Sequence, residues 1–170
     1  MSEQETKAYT DYVLPASVVS KLDVARLLSE AERIDNDMTQ SAVRDRIGAT
    51  SETQPATSER LTDFLQANEL QLDDARQRSD VIKQLHLLKD KAPIIHMTFA
   101  VEADPESLGQ LAQWVRESVH PQAIIATGLQ PALVAGVYLR TPNHVHDLSL
   151  RAKLKNSRDL LVKELEAARG

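Results

Sequence analysis

The stretch LVAGVYLRTPNHVHDLSLRAKL, residues 133–154, decides how the C-terminal part of this chain folds. Its apolar start predicts a strand, and Gly136 in the middle of that strand indicates a bulge or the close approach of another backbone. Residues 141–143 (TPN) have the chemistry of a turn. Asp147 and Ser149 then offer side-chain oxygens to the free N–H groups of a first helical turn. The stretch therefore predicts a strand, a turn, a short strand and a capped helix, with structural roles for its polar residues.

The residues before this stretch add a strand, a helix and another strand. In IIHMTFAV, residues 94–101, apolar side chains occupy every second position, which is typical of a half-buried strand. The residues expected on its buried face are Ile95, Met97, Phe99 and Val101. Asp104, Pro105 and Glu106 form a strong helix start, with a cap, a proline and an acid in order. That helix should end near His120, and residues 123–126 predict a short strand.

The N-terminal half has helical periodicity throughout. Residues 17–47 predict one bent helix or two shorter ones, residues 58–67 a short helix that ends in a left-handed cap at Asn68, and residues 73–89 a further helix. The stripe expected to be buried in the first pattern is Val18, Leu22, Ala25, Leu28, Ala31 and Ile34. The polar stretch 49–59 (ATSETQPATSE) predicts the clearest linker in the chain.

These patterns together predict an α+β fold that is mostly α. We expect an N-terminal helical bundle at residues 1–92, followed by a small C-terminal α/β domain at residues 93–170 with a short sheet and two helices. The period of the apolar positions changes from helical to alternating at Pro93, and we place the boundary between the domains there.

Composition narrows the classes of function. The chain has 170 residues, 42% of them hydrophobic and only 4% aromatic, and a net charge of −5. Residues 1–92 contain 12 basic and 17 acidic residues, whereas residues 93–170 contain 8 of each. This balance argues against non-specific nucleic-acid binding, which needs a basic face. The acidic first half instead favours a basic partner.

Several kinds of site are excluded by what the sequence lacks. The chain has no cysteine, which rules out disulfides, zinc–thiolate sites and cysteine nucleophiles. It contains neither of the glycine-rich phosphate motifs GxxxxGK[ST] and GxGxxG, so we expect no nucleotide cofactor. The N-terminus has no apolar segment of the signal-peptide type, and the longest apolar run, residues 131–139, is too short to span a membrane.

The order of elements in the C-terminal part, and the residues that carry it, resemble the delta subunit of F-type ATP synthases. The mitochondrial equivalent in that family is the oligomycin sensitivity-conferring protein. The residues that match the family motif are Ala135, Gly136, Val137, Arg140, Val145, Asp147, Ser149, Leu150, Arg151 and Leu154. The helix start at residues 104–106 and the strand ending in Phe99 and Ala100 also fall where the family has them.

The resemblance implies a non-catalytic connector in the peripheral stalk of a bacterial synthase. In that family the N-terminal bundle holds alpha subunits of the catalytic head, which also contains beta subunits. The C-terminal domain holds the b-type stalk helices, and the assembly resists rotor torque during proton-driven ATP synthesis. The resemblance further implies a location at the cytoplasmic face of the plasma membrane, with membrane contact only through the complex. Another stalk or scaffold adaptor, such as the vacuolar-type E subunit, is an alternative.

A third hypothesis is a small metal-dependent or acid–base enzyme. His144 and His146 alternate in a short strand and so share a face, with the carboxyl group of Asp147 beside them, a set of residue types that can bind a metal. The competing interpretation is an edge strand with two solvent-facing histidines and a capping aspartate. A third ligand at short range is missing from the sequence, and capping accounts for Asp147.

Several residues are candidates for contacts with partners. The first half of the last predicted helix is basic and could contact acidic stalk helices, or it could simply be a solvated face. Trp114, the only tryptophan, could anchor an interface or pack in the core. Apolar residues of the N-terminal bundle could line a groove for a partner helix or form the bundle core. The candidate interface residues are Leu22, Leu28, Phe64, Trp114, Lys153, Lys155 and Arg158.

Overall fold

A computed structural model describes residues 8–46, 56–133, 135–141, 144–150 and 152–154. The fold is α+β and mostly α, as the sequence predicts. The helices with described bounds are α1 (Lys21–Arg46), α2 (Glu59–Asn68), α3 (Ala75–Lys91) and α4 (Pro105–Ser118). The strands are β1 (Ile94–Phe99), β2 (Ile124–Leu129), β3 (Val137–Arg140) and β4 (Val145–Asp147).

By its contacts the chain divides into two compact units. The helical unit comprises Met1–Pro93 and Gly109–Ile124, and the sheet unit comprises Ile94–Leu108 and Ile125–Gly170. The first change of unit falls between Pro93 and Ile94, one residue after the boundary expected between residues 92 and 93. The segment Gly109–Ile124, which the prediction assigns to the C-terminal domain, belongs by its contacts to the helical unit.

The core of the helical unit is built from aliphatic residues of α1, α2 and α3. In α1 the stripe differs from the predicted one, since Leu22 is 59% exposed while Val24 and Leu27 are fully buried. The buried residues of these helices that anchor the core are Val24, Leu27, Leu28, Ala31, Ile34, Leu61, Phe64, Val81, Leu85 and Leu88. α1 is continuous, so the alternative of two shorter helices over this stretch is wrong.

The caps of α2 and α3 follow local chemistry. The Ser58 hydroxyl accepts from the N–H of Leu61, and the Asp74 carboxylate accepts from the N–H of Gln77. These bonds satisfy N–H groups that have no partner inside the helix. The predicted left-handed residue at the end of α2 is one position off. Glu69 has a φ of 55°, while Asn68 stays helical and is buried.

A segment at residues 10–18, the N-terminal strap, is fastened to the rest of the helical unit by three buried polar side chains. The Asn68 amide accepts from the N–H of Val13 at 2.8 Å and donates to its carbonyl oxygen at 2.9 Å. The Gln122 amide donates to the carbonyl oxygens of Thr10 and Tyr12. The strap has little regular secondary structure, so these side chains supply partners that a helix or sheet would otherwise provide.

The third of these side chains is Arg116 of α4. Its guanidinium donates to four carbonyl oxygens, those of Leu14, Pro15, Val18 and Ala123. Burial lowers the pKa of Arg116 to about 10, so the side chain remains charged at neutral pH. Its charge is compensated by carbonyl dipoles, which meet the requirement that a buried charge be hydrogen-bonded.

Tyr12 of the strap gives a pH-dependent prediction. Its ring packs edge-on against Phe64, and burial together with the charge of Asp80 raises the pKa of Tyr12 to about 12. The unfolded chain loses this proton near pH 10, whereas the folded chain holds it to about 12. The stabilisation is therefore complete below pH 10 and is lost as the pH rises toward 12.

Tyrosinate absorbance followed against pH tests this assignment. We expect a late ionisation near pH 12 that is missing from the Tyr12→Phe variant, while Tyr138→Phe retains it. A late step that survives in Tyr12→Phe, with both proteins still folded by circular dichroism, would contradict the assignment.

The sheet unit contains four strands in the order β2-β1-β3-β4. β1 pairs with β3, and β3 with β4, in antiparallel fashion. The N–H of Ile124 donates to the carbonyl of Pro93, and the N–H of Gln130 donates to the carbonyl of Phe99. The donor and the acceptor have both advanced by six residues. β2 and β1 therefore run in the same direction, as expected for strands connected through a helix.

The burial of β1 agrees with its alternating sequence. Ile95 and Met97 are each 1% exposed, and the side chain of His96 faces solvent. The predicted strand extends too far, because β1 ends at Phe99 and Val101 is 71% exposed beyond it. Apolar and polar residues continue to alternate in the sequence after Phe99, but the pairing of β1 with β3 ends at the pair Phe99–Val137. The alternation therefore predicts a longer strand than the one that forms.

Candidate interaction surface at the motif junction

Two segments that are separate in sequence meet at what we call the motif junction, formed by residues 135–137 and 147–150. The N–H of Leu148 donates to the carbonyl of Val137 at 3.0 Å, and the N–H of Leu150 donates to that of Ala135 at 2.8 Å. These bonds extend the antiparallel pairing of β3 and β4 past the end of both strands. The junction therefore fixes where the chain leaves the sheet after β4.

Gly136 is the tightest point of the junction. Its φ is +94°, and a Cβ placed on it would lie 2.5 Å from the carbonyl oxygen of Leu148 and 2.9 Å from the Cα of Ser149. The predicted close approach of another backbone is confirmed. The predicted position in mid-strand is wrong, because β3 begins one residue later at Val137. Only glycine combines this backbone conformation with this contact.

Asp147 and Ser149 each accept a hydrogen bond from a backbone N–H that follows them in the chain. The Asp147 carboxylate accepts from the N–H of Ser149, and the Ser149 hydroxyl accepts from the N–H of Ala152. Ser149, fully buried, is thus the residue that caps the helical segment beginning at Leu150. Asp147 stabilises the turn before that cap, which differs from the direct contact with the first helical turn that the sequence predicts.

Three exposed apolar side chains at and just after the junction form what we call the junction patch. Their exposed fractions are 57% for Leu148, 39% for Leu150 and 56% for Leu154. Val145, 54% exposed, is opposite Arg140 in the sheet and is not part of the patch. Exposed apolar residues close together in the chain commonly mark sites of protein–protein contact. Of the basic residues expected beside them, Lys153 is exposed, while Arg151, Lys155 and Arg158 lie outside the described residues.

Arg140 lies on the polar face of the sheet. It is directly opposite His96, and Tyr138 of the same strand is opposite Thr98. These side chains line a shallow groove of about 510 Å³ together with Ile94 and Thr141. Arg140 therefore presents its charge from the sheet face and does not take part in the backbone contacts of the junction.

Of the two histidines of the enzyme hypothesis, His146 lies in the edge strand β4 and His144 lies just before it. The rings of His144 and His146 stack with centroids 6.2 Å apart, and both residues are exposed. Within the described ranges, no group of three or more potential ligands could hold a metal ion. Asp147 has its carboxylate engaged in the turn described above.

The interface candidates of the helical unit fall into two groups. Leu28 and Phe64 are 4% and 0% exposed, so they are packing residues of the core. Leu22 on α1 and Trp114 on α4 are 59% and 53% exposed and are accessible to a partner. Helical spacing alone does not separate these groups, since Leu22 and Leu28 are part of the same predicted stripe.

The sequence pattern does not mark Val145 and Leu148 as exposed residues. The informative signal is their position beside a cap. Val145 is on an edge strand, and Leu148 lies between Asp147, which stabilises the turn, and Ser149, which caps the helix, where the chain turns away from the sheet. An apolar residue at such a position has few neighbours available to bury it.

No family model matches this chain, and no curated protein matches it. In the part of the chain that the structure describes, no helix has both the length and the apolar character needed to cross a membrane.

Proposed function

We propose that this chain is a delta-type connector in the peripheral stalk of an F-type ATP synthase. The observation that carries the proposal is the motif junction. The family residues Ala135, Gly136 and Val137 contact the segment with Asp147 and Ser149, although ten residues or more separate the two in sequence. A shared motif whose parts contact each other in the fold is stronger support than the same letters in sequence alone.

The sheet unit would hold the b-type stalk through the junction patch. Leu148, Leu150 and Leu154 provide the apolar area that a partner helix needs. The basic residues that follow in the sequence suit acidic positions on that helix. Because the two junction bonds and the Ser149 cap join the patch to the sheet, a pull on the patch is transmitted to a hydrogen-bonded backbone.

The helical unit would hold the alpha subunits of the catalytic head. Leu22 and Trp114 are its exposed large apolar residues among those expected at an interface. Residues 1–92 have five more acidic than basic residues, which favours a basic segment as the bound element. In this proposal the chain performs no chemistry, and its location at the cytoplasmic face of the membrane follows from the complex.

The test is recovery of partners from a membrane extract of a bacterium that contains an F-type synthase. We expect the tagged full-length chain to recover alpha, beta and b subunits. Leu148→Asp combined with Leu154→Asp should lose the b subunit and retain alpha, and Leu22→Asp should do the reverse. Val43→Asp is the matched control, because Val43 is 55% exposed on α1 but lies near its other end.

Failure of the native chain to recover any of the three subunits would refute the proposal. The same experiment tests the enzyme alternative with a double variant, His144→Ala and His146→Ala. If the histidines have no role in binding, this variant recovers the same subunits in the same amounts as the native chain. Catalytic turnover by the purified native chain that this variant lacks would instead establish the enzyme.

A further inference from the structure

The sheet unit has a second apolar surface, away from the junction patch in sequence, which we call the β2 groove. It has a volume of about 340 Å³. The residues that line it are Phe99, Val101, Glu102, Ala103, Leu108, Thr127, Gly128 and Leu129. Val101 is 71% exposed and Leu129 is 62% exposed, the largest values among the exposed large hydrophobic residues of the described chain. The groove has room for an apolar side chain and no described residue fills it.

The groove lies beside an edge strand. β2 is the first strand in the order β2-β1-β3-β4, with β1 as its sheet neighbour. The N–H groups of Ile124 and Gln130 point to β1, so in a regular strand the intervening odd positions, including Thr127 and Leu129, direct their backbone groups outward. Such an edge can accept an additional extended segment.

Glu102 lines the groove, and Asp104 and Glu106 follow it within four residues along the chain; we call these three carboxylates the acidic rim. Glu102, Asp104 and Glu106 are all exposed, and residues 94–108 and 125–133 contain no lysine or arginine. Among the described residues none of the three carboxylates forms a salt bridge with a lysine, arginine or histidine. Asp104 caps α4, and its hydrogen bonds from Ser107 lower the pKa of its carboxyl group. A negative charge thus already occupies the helix N-terminus, which disfavours an anionic ligand there.

We propose that the β2 groove docks an extended segment of a partner protein that carries apolar side chains flanked by lysine or arginine. The segment pairs with the outer edge of β2, places one apolar side chain between Val101 and Leu129, and directs its cations to the acidic rim. A second copy of this chain fits less well, since a two-fold pairing through β2 would bring two acidic rims together. This surface is separate from the junction patch, so the proposal does not depend on the proposed function.

The test uses the full chain and two synthetic ten-residue peptides, one alternating valine with lysine and the other valine with glutamate. Amide and methyl chemical shifts in NMR spectra report where each peptide binds. We expect the lysine peptide to shift the signals of Leu108, Thr127 and Leu129 and to bind at least about tenfold more tightly than the glutamate peptide, since opposite charges across a strand pair attract.

Three variants locate the interaction. Leu129→Gln removes the apolar contact, and Glu102→Gln with Glu106→Gln removes rim charge; each should weaken the lysine peptide severalfold. Thr127→Pro removes an outward N–H group from the edge and should abolish pairing with the peptide. The variant should still fold, because proline is tolerated on edge strands. Leu148→Gln, in the junction patch, is the control and should bind as the native chain does.

Equal binding of the two peptides, shifts confined to other residues, or no shifts at millimolar peptide would each overturn the proposal. Self-association of the chain that Leu129→Gln abolishes would also overturn it, and would identify a second copy as the occupant. If Thr127→Pro loses the sheet by circular dichroism, the decision rests on Leu129→Gln and the paired glutamate variants.

Discussion

The Gly136→Ala variant is expected to lose about 3 kcal/mol of stability in the sheet unit. A positive φ at a residue other than glycine costs about 1–3 kcal/mol, and forcing an extra methyl group into a packed site costs about as much again. At Gly136 the new Cβ would lie 2.5 Å from the carbonyl oxygen of Leu148. That oxygen belongs to the backbone, so relief requires the whole segment to move and breaks the junction bonds.

Hydrogen exchange measured by NMR gives the local effect. The N–H groups of Leu148 and Leu150 donate across the junction, so their exchange should accelerate by a factor of about 100 for a loss of 3 kcal/mol. Gly128→Ala is the control, since the nearest atom to its new Cβ would be a side-chain oxygen of Thr98 at an ordinary 3.4 Å. Equal exchange rates in the native protein and Gly136→Ala would show that the junction is not closed as described.

The Arg116→Met variant is expected to destabilise the helical unit by roughly 3 kcal/mol or more. Removing the guanidinium leaves up to four carbonyl oxygens without their donor, and each unsatisfied buried group costs about 1–3 kcal/mol. These oxygens belong to the strap and to Ala123. The strap should therefore detach before the rest of the unit unfolds.

Chemical unfolding followed by tryptophan fluorescence and proteolysis of the N-terminus together measure this effect. Arg116→Lys should recover little stability, because an ammonium group cannot reproduce the geometry of the guanidinium donors. The control is Arg26→Met, since the Arg26 side chain is 59% exposed and should change stability by no more than about 0.5 kcal/mol. Native stability in Arg116→Met would mean that the strap is held by its apolar residues alone.

Local chemistry made most of the elements predictable. The helical spacing of apolar residues predicts α1 and α3, and their alternating spacing predicts β1. The proline after Asp104 predicts the start of α4. Their ends are less well predicted, because they depend on pairing and packing. β2 is an example: the apolar residues at 124–126 indicate a strand, but the strand continues to Leu129 through its bonds to β1.

The strap could not be predicted, because its stability comes from residues far away in sequence. Gln122 and Arg116 bond to residues about 100 positions earlier. Neither has a neighbour in sequence that explains its burial, and polar residues are usually expected at the surface. Because of such long-range contacts, the segment Gly109–Ile124 belongs to the helical unit.

The candidate site was predictable in part. The need for glycine at position 136 and the capping role of Ser149 follow from residue types that suit particular backbone conformations. Asp147 stabilises the turn before the cap and does not contact the first helical turn as predicted. The sequence does not show which apolar residues near them face solvent, because core residues and interface residues are of the same apolar types. Leu28 and Leu22 illustrate this, with 4% and 59% exposure from one predicted stripe.

ATP-driven proton pumping tests the central claim, that this chain joins neighbouring chains and transmits force between them. The measurement uses membrane vesicles of a bacterium that contains an F-type synthase, stripped of the catalytic head and of its connector subunit, to which purified head is returned. We predict that acidification of the vesicles returns when head and native chain are added together, and not with head alone or with the chain carrying Leu148→Asp and Leu154→Asp. Full pumping with head alone would contradict the account.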